Sequence, residues 1–570
     1  MFFLLSRIRF KVIRKSPMFR SFQAVHEALL ASFRRTGAVV EVDIVRLDHR
    51  FARKSGILVL LMGIIWFRNV PAYAADQPSS SPTTSAAIVR GRQLAKTFCI
   101  RCHLFPEPSA IVRSTWHDEI LPRMKYRLGF STPQLEQSAN IKLLRANNRL
   151  PTSPVITEEQ WVDLVTYFLS EAPTEPPPQD VSVPIDVGVP DFRLSPAQYR
   201  SESPSVTSIK IHSKGGALVA EDDTKSIAWL GTRGQLIGRL VTSNSISAFR
   251  PTQDGLLVAM LGSFLPSDDA RGGVVQLRNP SSWEFGPPIL SGLPRTTDIN
   301  AADLNGDGRT DWVVSCFGNN LGRLFWLENR ADGARVEHEL FGLPGVLRTE
   351  IADFNGDGYL DIVALVAQET ESMFLFVGNG KGTFTRKTLF QRPPYWGHSY
   401  FELIDLNRDG RPDFLVTNGD NGEFSSHSKR FHGVRIYVSQ PGGDWIEKVF
   451  IPMYGAFKAV GRDFDRDGDL DIAAVSYFPD YQRAPRGSFL FLRNDGPGFK
   501  AFTFAESALG RWLTLDAGDV DGDGDDDILL GSYIKGPTAV PEVLMKAWLQ
   551  ARQPLAWLEN RATLAGPPGK

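Results

Sequence analysis

Residues 99–103 read Cys-Ile-Arg-Cys-His, in a chain of 570 residues that has only three cysteines and nine histidines to supply that combination. Two thiols at this spacing can add to the two vinyl groups of a haem, and the adjacent imidazole can bind the iron from one side. A dithiol redox pair or half of a zinc site would also use two cysteines. Neither needs the neighbouring histidine, and the sequence holds no second cysteine pair to complete a zinc site. Cys99, Cys102 and His103 are therefore the candidate residues for one covalent haem c. Met124, the one methionine between residues 85 and 172, is the candidate for the opposite iron position, since a thioether raises the potential and suits electron transfer. His117 is its rival, and an open position is the third possibility.

A second chemistry repeats five times. DLNGDGRTD starts at Asp303, DFNGDGYLD at Asp353, DLNRDGRPD at Asp405, DFDRDGDLD at Asp463 and DVDGDGDDD at Asp519, at intervals of 50, 52, 58 and 56 residues. Oxygen donors at positions 1, 3, 5 and 9 suit Ca²⁺, which takes six to eight oxygens, and the glycine after position 5 allows the turn. The side-chain donors are Asp303, Asn305, Asp307 and Asp311; Asp353, Asn355, Asp357 and Asp361; Asp405, Asn407, Asp409 and Asp413; Asp463, Asp465, Asp467 and Asp471; and Asp519, Asp521, Asp523 and Asp527. The glutamate that closes an EF-hand at position 12 is missing, and the flanks read as strands rather than helices. A plain Asx turn explains any single copy, but five at a regular spacing point to up to five Ca²⁺ sites.

The elements that must hold these residues differ in kind. Gly91–Phe98 reads as a helix leading into Cys99, and 157–169 as a second helix. Thr157 and Gln160 form a capping box, Ile156 can staple onto Trp161, and Trp161, Leu164, Val165, Phe168 and Leu169 make an apolar stripe. Residues 85–172 resemble a class I cytochrome c domain, in which an N-terminal helix carrying a glycine crosses a C-terminal helix carrying aromatics beside the haem. The resemblance gives those parts to Gly91 and to Tyr167 or Phe168. Residues 173–204 carry eight prolines and read as an extended linker. Val181, Val183, Ile185 and Val187 alternate in it with polar residues, as in a strand packed along a neighbour.

Each aspartate cassette is followed by short apolar strands, and about 50 residues with several short strands is one propeller blade. Two worn copies precede the five: Thr252-Gln253-Asp254-Gly255 before Leu256–Met260, and Lys214-Gly215-Gly216 before Ala217–Ala220. Residues 205–562 thus read as a seven-bladed β-propeller, giving a multidomain chain: a small all-α domain followed by an all-β domain. The cassettes resemble the FG-GAP or VCBS repeats of integrin-α-type propellers, and that resemblance implies that calcium staples the loop between a blade's first two strands. The strand before each cassette alternates faces. Asn300, Glu350, Glu402, Val460 and Asp516 lie three residues before position 1, and Asp298, Arg348, Tyr400, Lys458 and Thr514 lie five before. This polar face should line the central channel, with Trp396, His398, Arg511 and Trp512 near its mouth. The third cysteine, Cys316, reads as an inert buried thiol.

Composition removes other classes. Lys+Arg 63 against Asp+Glu 64 gives a formal charge of −1, which excludes a strongly basic nucleic-acid binder. Three cysteines exclude a disulfide framework. No nucleophile triad, phosphate loop or HExxH motif is present. Arg50, Arg53 and Lys54, the apolar run Gly56–Phe67 and Pro71-Ala72-Tyr73-Ala74-Ala75 have the order of a secretory signal peptide, too short for a membrane span. Residues 1–74 are thus expected to be leader and signal peptide, with translation expected to start downstream of Met1. The mature chain is expected in the periplasm or at the surface of a bacterium. Three functions fit: electron transfer with the propeller docking a redox partner or a haem-linked substrate; an oxidoreductase whose propeller holds the active site and whose haem accepts the electrons; or a surface carbohydrate-binding or adhesion protein.

Overall fold

Wholly buried strands set the architecture. Asp361–Val366, Asp413–Asn418, Asp471–Ser476 and Asp527–Ser532 are buried at every position. A short apolar run of that kind is stable only with sheet on both faces. Among the described residues seven sheets supply those faces, six of four strands and one of five. The computed structural model describes residues 82–562 apart from 180–182, 254, 279–282, 422–427, 485 and 497. The leader and signal peptide, Val181 and Asp254 of the worn second cassette therefore lie outside the described residues. Among the described residues, no helix is long and apolar enough to cross a membrane.

The sheets are the blades of a β-propeller. Their innermost strands are Val206–Ile211, Ser245–Thr252, Thr296–Ala302, Val346–Ala352, His398–Ile404, Ala456–Arg462 and Trp512–Gly518. Blades one to five are antiparallel meanders, and the outer strands face solvent, as the largely exposed Leu236–Val241 shows. The core is distributed between blades: Ile362, Ala364, Phe374 and Phe376 of blade four pack with Val313, Leu324 and Trp326 of blade three.

The proline-rich stretch enters the ring. Phe192–Ser195 pairs antiparallel with Leu555–Asn560 and completes blade seven, so both ends of the propeller share one sheet. Ile185–Val187 adds in parallel to Phe499–Thr503 at the edge of blade six. Val183 and Ile185 pack on the cluster between blades five and six, which accounts for their alternation with polar residues. The propeller sheets therefore begin at residue 185 rather than at 205. Opening the ring at this seam requires breaking a ladder of buried backbone hydrogen bonds.

The helical segment begins with Pro82–Phe98 and ends with Glu158–Glu171, each extending beyond its sequence-read bounds. The capping box of Thr157 and Gln160 is formed in both directions. The two helices cross at Gly91, where a Cβ would stand 2.1 Å from the carbonyl oxygen of Asp163 and 2.8 Å from the Cβ of Tyr167. Only glycine permits that approach, and any larger side chain would drive the helices apart. The crossing is tied by Arg90, whose guanidinium donates to both carboxylate oxygens of Asp163 at 2.7 and 2.9 Å. Between the helices, Trp116 is 2% exposed and packs on Phe168 with ring centroids 4.6 Å apart.

This segment rests on the propeller. Tyr395 and Phe431 of blade five join its apolar cluster. Arg127 donates to Asn320 at 3.1 Å and pairs with Glu369 at 3.4 Å, and Arg149 reaches the carbonyl of Gly342 at 2.5 Å.

Candidate functional site

Three places hold the residues singled out from the sequence. The first is the set of aspartate loops. In every cassette the position-9 aspartate opens a blade's second strand and is almost fully buried. Asp311 accepts the backbone N–H of Leu304 at 3.1 Å and of Asn329 at 2.8 Å; Asp361, Asp413 and Asp527 repeat that clamp. The position-1 aspartate gathers the loop: Asp303 accepts from Gly306, Asp307 and Gly308. The repeated spacing within the loop is thus explained in part by backbone satisfaction.

What remains is charge. The loops of blades three and five carry an arginine at position 7, Arg309 on Asp307 and Arg411 on Asp409, which offsets part of it. Blades six and seven have Asp469 and Asp525 there instead. Asp463, Asp465 and Asp467, and likewise Asp519, Asp521 and Asp527, bring one oxygen each within 4.8 Å of one another. Burial pushes Asp471 and Asp527 up to about 7, and the neighbouring aspartates add to that. The Oδ2 of Asp471 is buried without a hydrogen-bond partner among the described residues. An all-oxygen cluster with an orphaned carboxylate oxygen fits a hard divalent cation.

The second place is the channel. Arg250 of blade two donates to both oxygens of Asp298 at 2.8 and 2.6 Å, and to Glu350 at 2.8 Å, thereby joining blades two, three and four. Arg348 also donates to Glu350 at 2.6 Å, Arg462 to Glu402 at 3.0 Å, and Lys210 to Asp516 at 3.3 Å. Asn300 donates to the Thr349 carbonyl at 2.7 Å. Lys458 lies over the Tyr400 ring at 4.9 Å and reaches Thr514 at 3.4 Å; burial brings its amine down to about 8. The polar face is thus a lining whose members bind one another across blades. Arg511 and Trp512 are each 1% exposed, and their side chains donate to the carbonyls of Tyr477 and Ser507. They are structural residues and do not stand at an open channel mouth. Arg250 was not found from the cassettes because its blade has lost its cassette; carrying the strand alternation back into blade two would have found it. Replacing Arg250 with Met leaves the buried Asp298 without its ion-pair partner, while Glu350 keeps Arg348, and is expected to cost about 3 kcal/mol, read as a lower urea midpoint.

The third place is the Cys-Ile-Arg-Cys-His segment. Helix Pro82–Phe98 hands over to a single 3-10 turn, Cys99–Arg101. Cys99 is half-buried and Cys102 exposed, and no disulfide joins them. His103 Nδ1 lies 2.8 Å from the Leu104 carbonyl oxygen. A carbonyl only accepts, so Nδ1 carries the proton and Nε2 keeps its lone pair for a metal. Met124 is half-buried in the same apolar cluster as Cys99, Trp116, Leu121 and Phe168. His117 is exposed, with Nδ1 2.6 Å from the Asp118 carboxylate. The structure thus brings Cys99 and Met124 to one apolar cluster and leaves His117 outside it. Cys316 closes its strand fully buried, its thiol pushed up to about 12 by burial.

Comparison with known families matches residues 303–364, 353–416 and 463–530 to the FG-GAP-like repeat. No curated protein matches the chain. Among solved structures the chain is similar to BBS1N in its complex with ARL6DN, at 10% identity and a TM-score of 0.40 over 66% of this chain and 98% of that one. It is similar to the N-terminal domain of Nup159, at 11% identity and a TM-score of 0.37 over 67% and 98%. It is also similar to a calcium-binding protein, regucalcin, from Agrobacterium tumefaciens, at 12% identity and a TM-score of 0.32 over 54% and 97%. The repeat match falls on the cassettes and the strands that follow them, and the seven sheets close into one ring: the chain carries a seven-bladed β-propeller with FG-GAP-like repeats.

Proposed function

We propose that this chain is an exported electron-transfer protein: one haem c is held by the helical segment, and the propeller, stabilised by calcium, docks the redox partner. The observation that carries this reading is the disposition of the Cys-Ile-Arg-Cys-His segment, with His103 Nδ1 bonded to a backbone carbonyl and Met124 in the apolar cluster that includes Cys99. Cys99 and Cys102 would attach the group, His103 and Met124 would bind its iron, and Trp116, Leu121 and Phe168 of the same apolar cluster would help exclude water. When bound, such a group supplies one-electron oxidation and reduction. The close crossing of the two helices at Gly91 fixes the end of the first helix, which leads into Cys99, relative to the aromatic residues of the second.

The calcium reading rests on the loops of blades six and seven, where three carboxylates converge with no arginine at position 7. The metal would tie a blade's first two strands at the position-9 aspartate. Export is read from the basic residues, apolar run and small-residue site at 50–75.

The test is the spectrum of the protein purified from an exporting bacterial host. A reduced c-type band is expected, with a weak near-infrared charge-transfer band from methionine ligation. Met124→Ala should lose the second and keep the first, whereas His117→Ala should keep both. Absence of the c-type band overturns the reading.

A further inference from the structure

The helix Leu121–Arg127 carries Met124 and, three residues on at its last position, Arg127. Side chains three apart share one face of a helix. Met124 packs in the apolar cluster to which blade five gives Tyr395 and Phe431, so this face looks onto the propeller. Arg127 is gripped there at two points: it donates to Asn320 Oδ1 at 3.1 Å and pairs with Glu369 at 3.4 Å.

The acceptor is set in advance by the propeller. Asp268 of blade two takes the backbone N–H groups of Asn319, Asn320 and Leu321 on Oδ1 at 3.0, 2.7 and 2.9 Å, and the Asn320 side-chain amide on Oδ2 at 2.9 Å. The same amide reaches Asn140 of the helical segment at 3.1 Å. Its two hydrogens are thus taken, and its oxygen is left to accept from Arg127. Asn320 is 7% exposed. Glu369 comes from loop 367–371 of blade four, where Gln368 at φ 61° and Glu371 at φ 39° have left-handed backbone; such conformations persist where the surroundings over-determine them. These loops of blades two, three and four join second strands to third, whereas the cassettes join first strands to second, so the helix is held at the end of the ring opposite the cassettes.

The ties of this helix inside its own segment are weaker. Lys125 pairs with Glu158 at 3.0 Å and Arg123 with Glu119 at 3.7 Å, but all four side chains are a third or more exposed, and exposed pairs contribute little. Glu369 is likewise half exposed, so the buried and preset Asn320 is the firmer of the two holds on Arg127. The grip also stands near the attachment segment: burial pushes the Cys102 thiol up, Glu369 adds to that and Arg127 opposes it.

We infer that Arg127, Asn320 and Glu369 are positioning residues for Met124: the propeller fixes the last turn of its helix and so keeps the thioether in place to bind the haem iron. This rests on the haem reading above, with Met124 as an axial ligand. It makes the propeller part of the apparatus that sets the potential, in addition to its docking role.

The experiment is optical spectroscopy and redox titration of the full haem-loaded protein. Arg127→Ala is expected to keep the c-type band, lose the near-infrared charge-transfer band and lower the potential, because a thioether ligand raises it. Arg149→Ala removes a different contact with the propeller, the one to the Gly342 carbonyl, and is expected to leave band and potential unchanged. An unchanged band and potential in Arg127→Ala overturn the inference. An equal loss in Arg149→Ala overturns it too, since the effect would then be a general loosening of the interface. A wild type with the c-type band but no near-infrared band overturns the inference together with methionine ligation and leaves the haem reading intact; a protein without the c-type band sinks both. Should Arg127→Ala not fold, Arg127→Lys decides, since it keeps the charge but not the fork that serves two acceptors: a weakened near-infrared band is expected, and an unchanged one overturns the inference.

Discussion

Adding EDTA to the purified protein at pH 7.5 is expected to lower its melting temperature by about 10 °C or more, since each site filled at 100 times its Kd contributes about 2.7 kcal/mol and up to five sites act together. The chain supplies five cassettes with four side-chain donors each. The loops do not contribute equally. Arg309 and Arg411 lie inside two of them and stay when the metal leaves. Blades six and seven have no such cation at that position, and only the more distant Arg408 and Arg466 face their loops, so more of the repulsion among Asp463, Asp465 and Asp467, and among Asp519, Asp521 and Asp527, falls on the fold. Asp471→Asn and Asp527→Asn should therefore remove more of the calcium-dependent rise in melting temperature than Asp311→Asn does.

The pH dependence gives the same prediction a sign. Asp471 and Asp527, pushed up by burial to about 7, bind protons more tightly folded than unfolded. Without metal, that contribution is complete below about pH 4 and is lost as pH rises through 7. The metal-free protein should thus weaken between pH 4 and 7. With calcium the trend should reverse, because the metal competes with those protons and gains as they leave. An EDTA scan that leaves the midpoint unchanged at pH 7.5 would defeat the calcium reading, and a metal-free protein that strengthens across that range would defeat the electrostatic account of it.

The blades were legible because the cassette repeats its own chemistry. Asp311, Asp361, Asp413, Asp471 and Asp527 each open a buried strand, and nine fixed positions around each reveal it. The count of seven was legible from worn turns such as Lys214-Gly215-Gly216, since a glycine turn outlives its carboxylates. The closure was not: Phe192–Ser195 is four residues of ordinary strand, and its partner Leu555–Asn560 stands more than 350 residues away. Pairing over that distance leaves no local periodicity. Arg250 escaped for another reason: its blade has lost the cassette that marks where the inner strand lies, and its partners Asp298 and Glu350 stand in other blades. In the helical segment the capping box and the crossing glycine were legible because both are local constraints on the backbone. The contact of Arg127 with Glu369 joins two domains and leaves no such trace.

Removing both Cys99 and Cys102 is expected to abolish all haem that survives denaturation, a complete loss seen as a missing peroxidase-active band on a denaturing gel. The argument is one of reactivity and position. A thioether survives unfolding, whereas ligation by His103 and Met124 does not, so only the two thiols can hold the group through denaturation. Cys316→Ala should leave the band at full strength: that thiol is fully buried between strands, and burial keeps it protonated, so it can neither reach nor attack a vinyl group. Each single variant should retain a weaker band through its remaining thioether. The order of events also follows from burial. In the folded chain the Cys99 thiol is pushed up to about 12, chiefly by burial, so few thiolates are available at neutral pH. Attachment should therefore precede the closing of the helices over Gly91, and folded protein made without haem should fail to acquire the covalent band when haem is added. Capture of haem by such folded protein at full yield would contradict that order, and persistence of the band in the double variant would remove the two cysteines from the site.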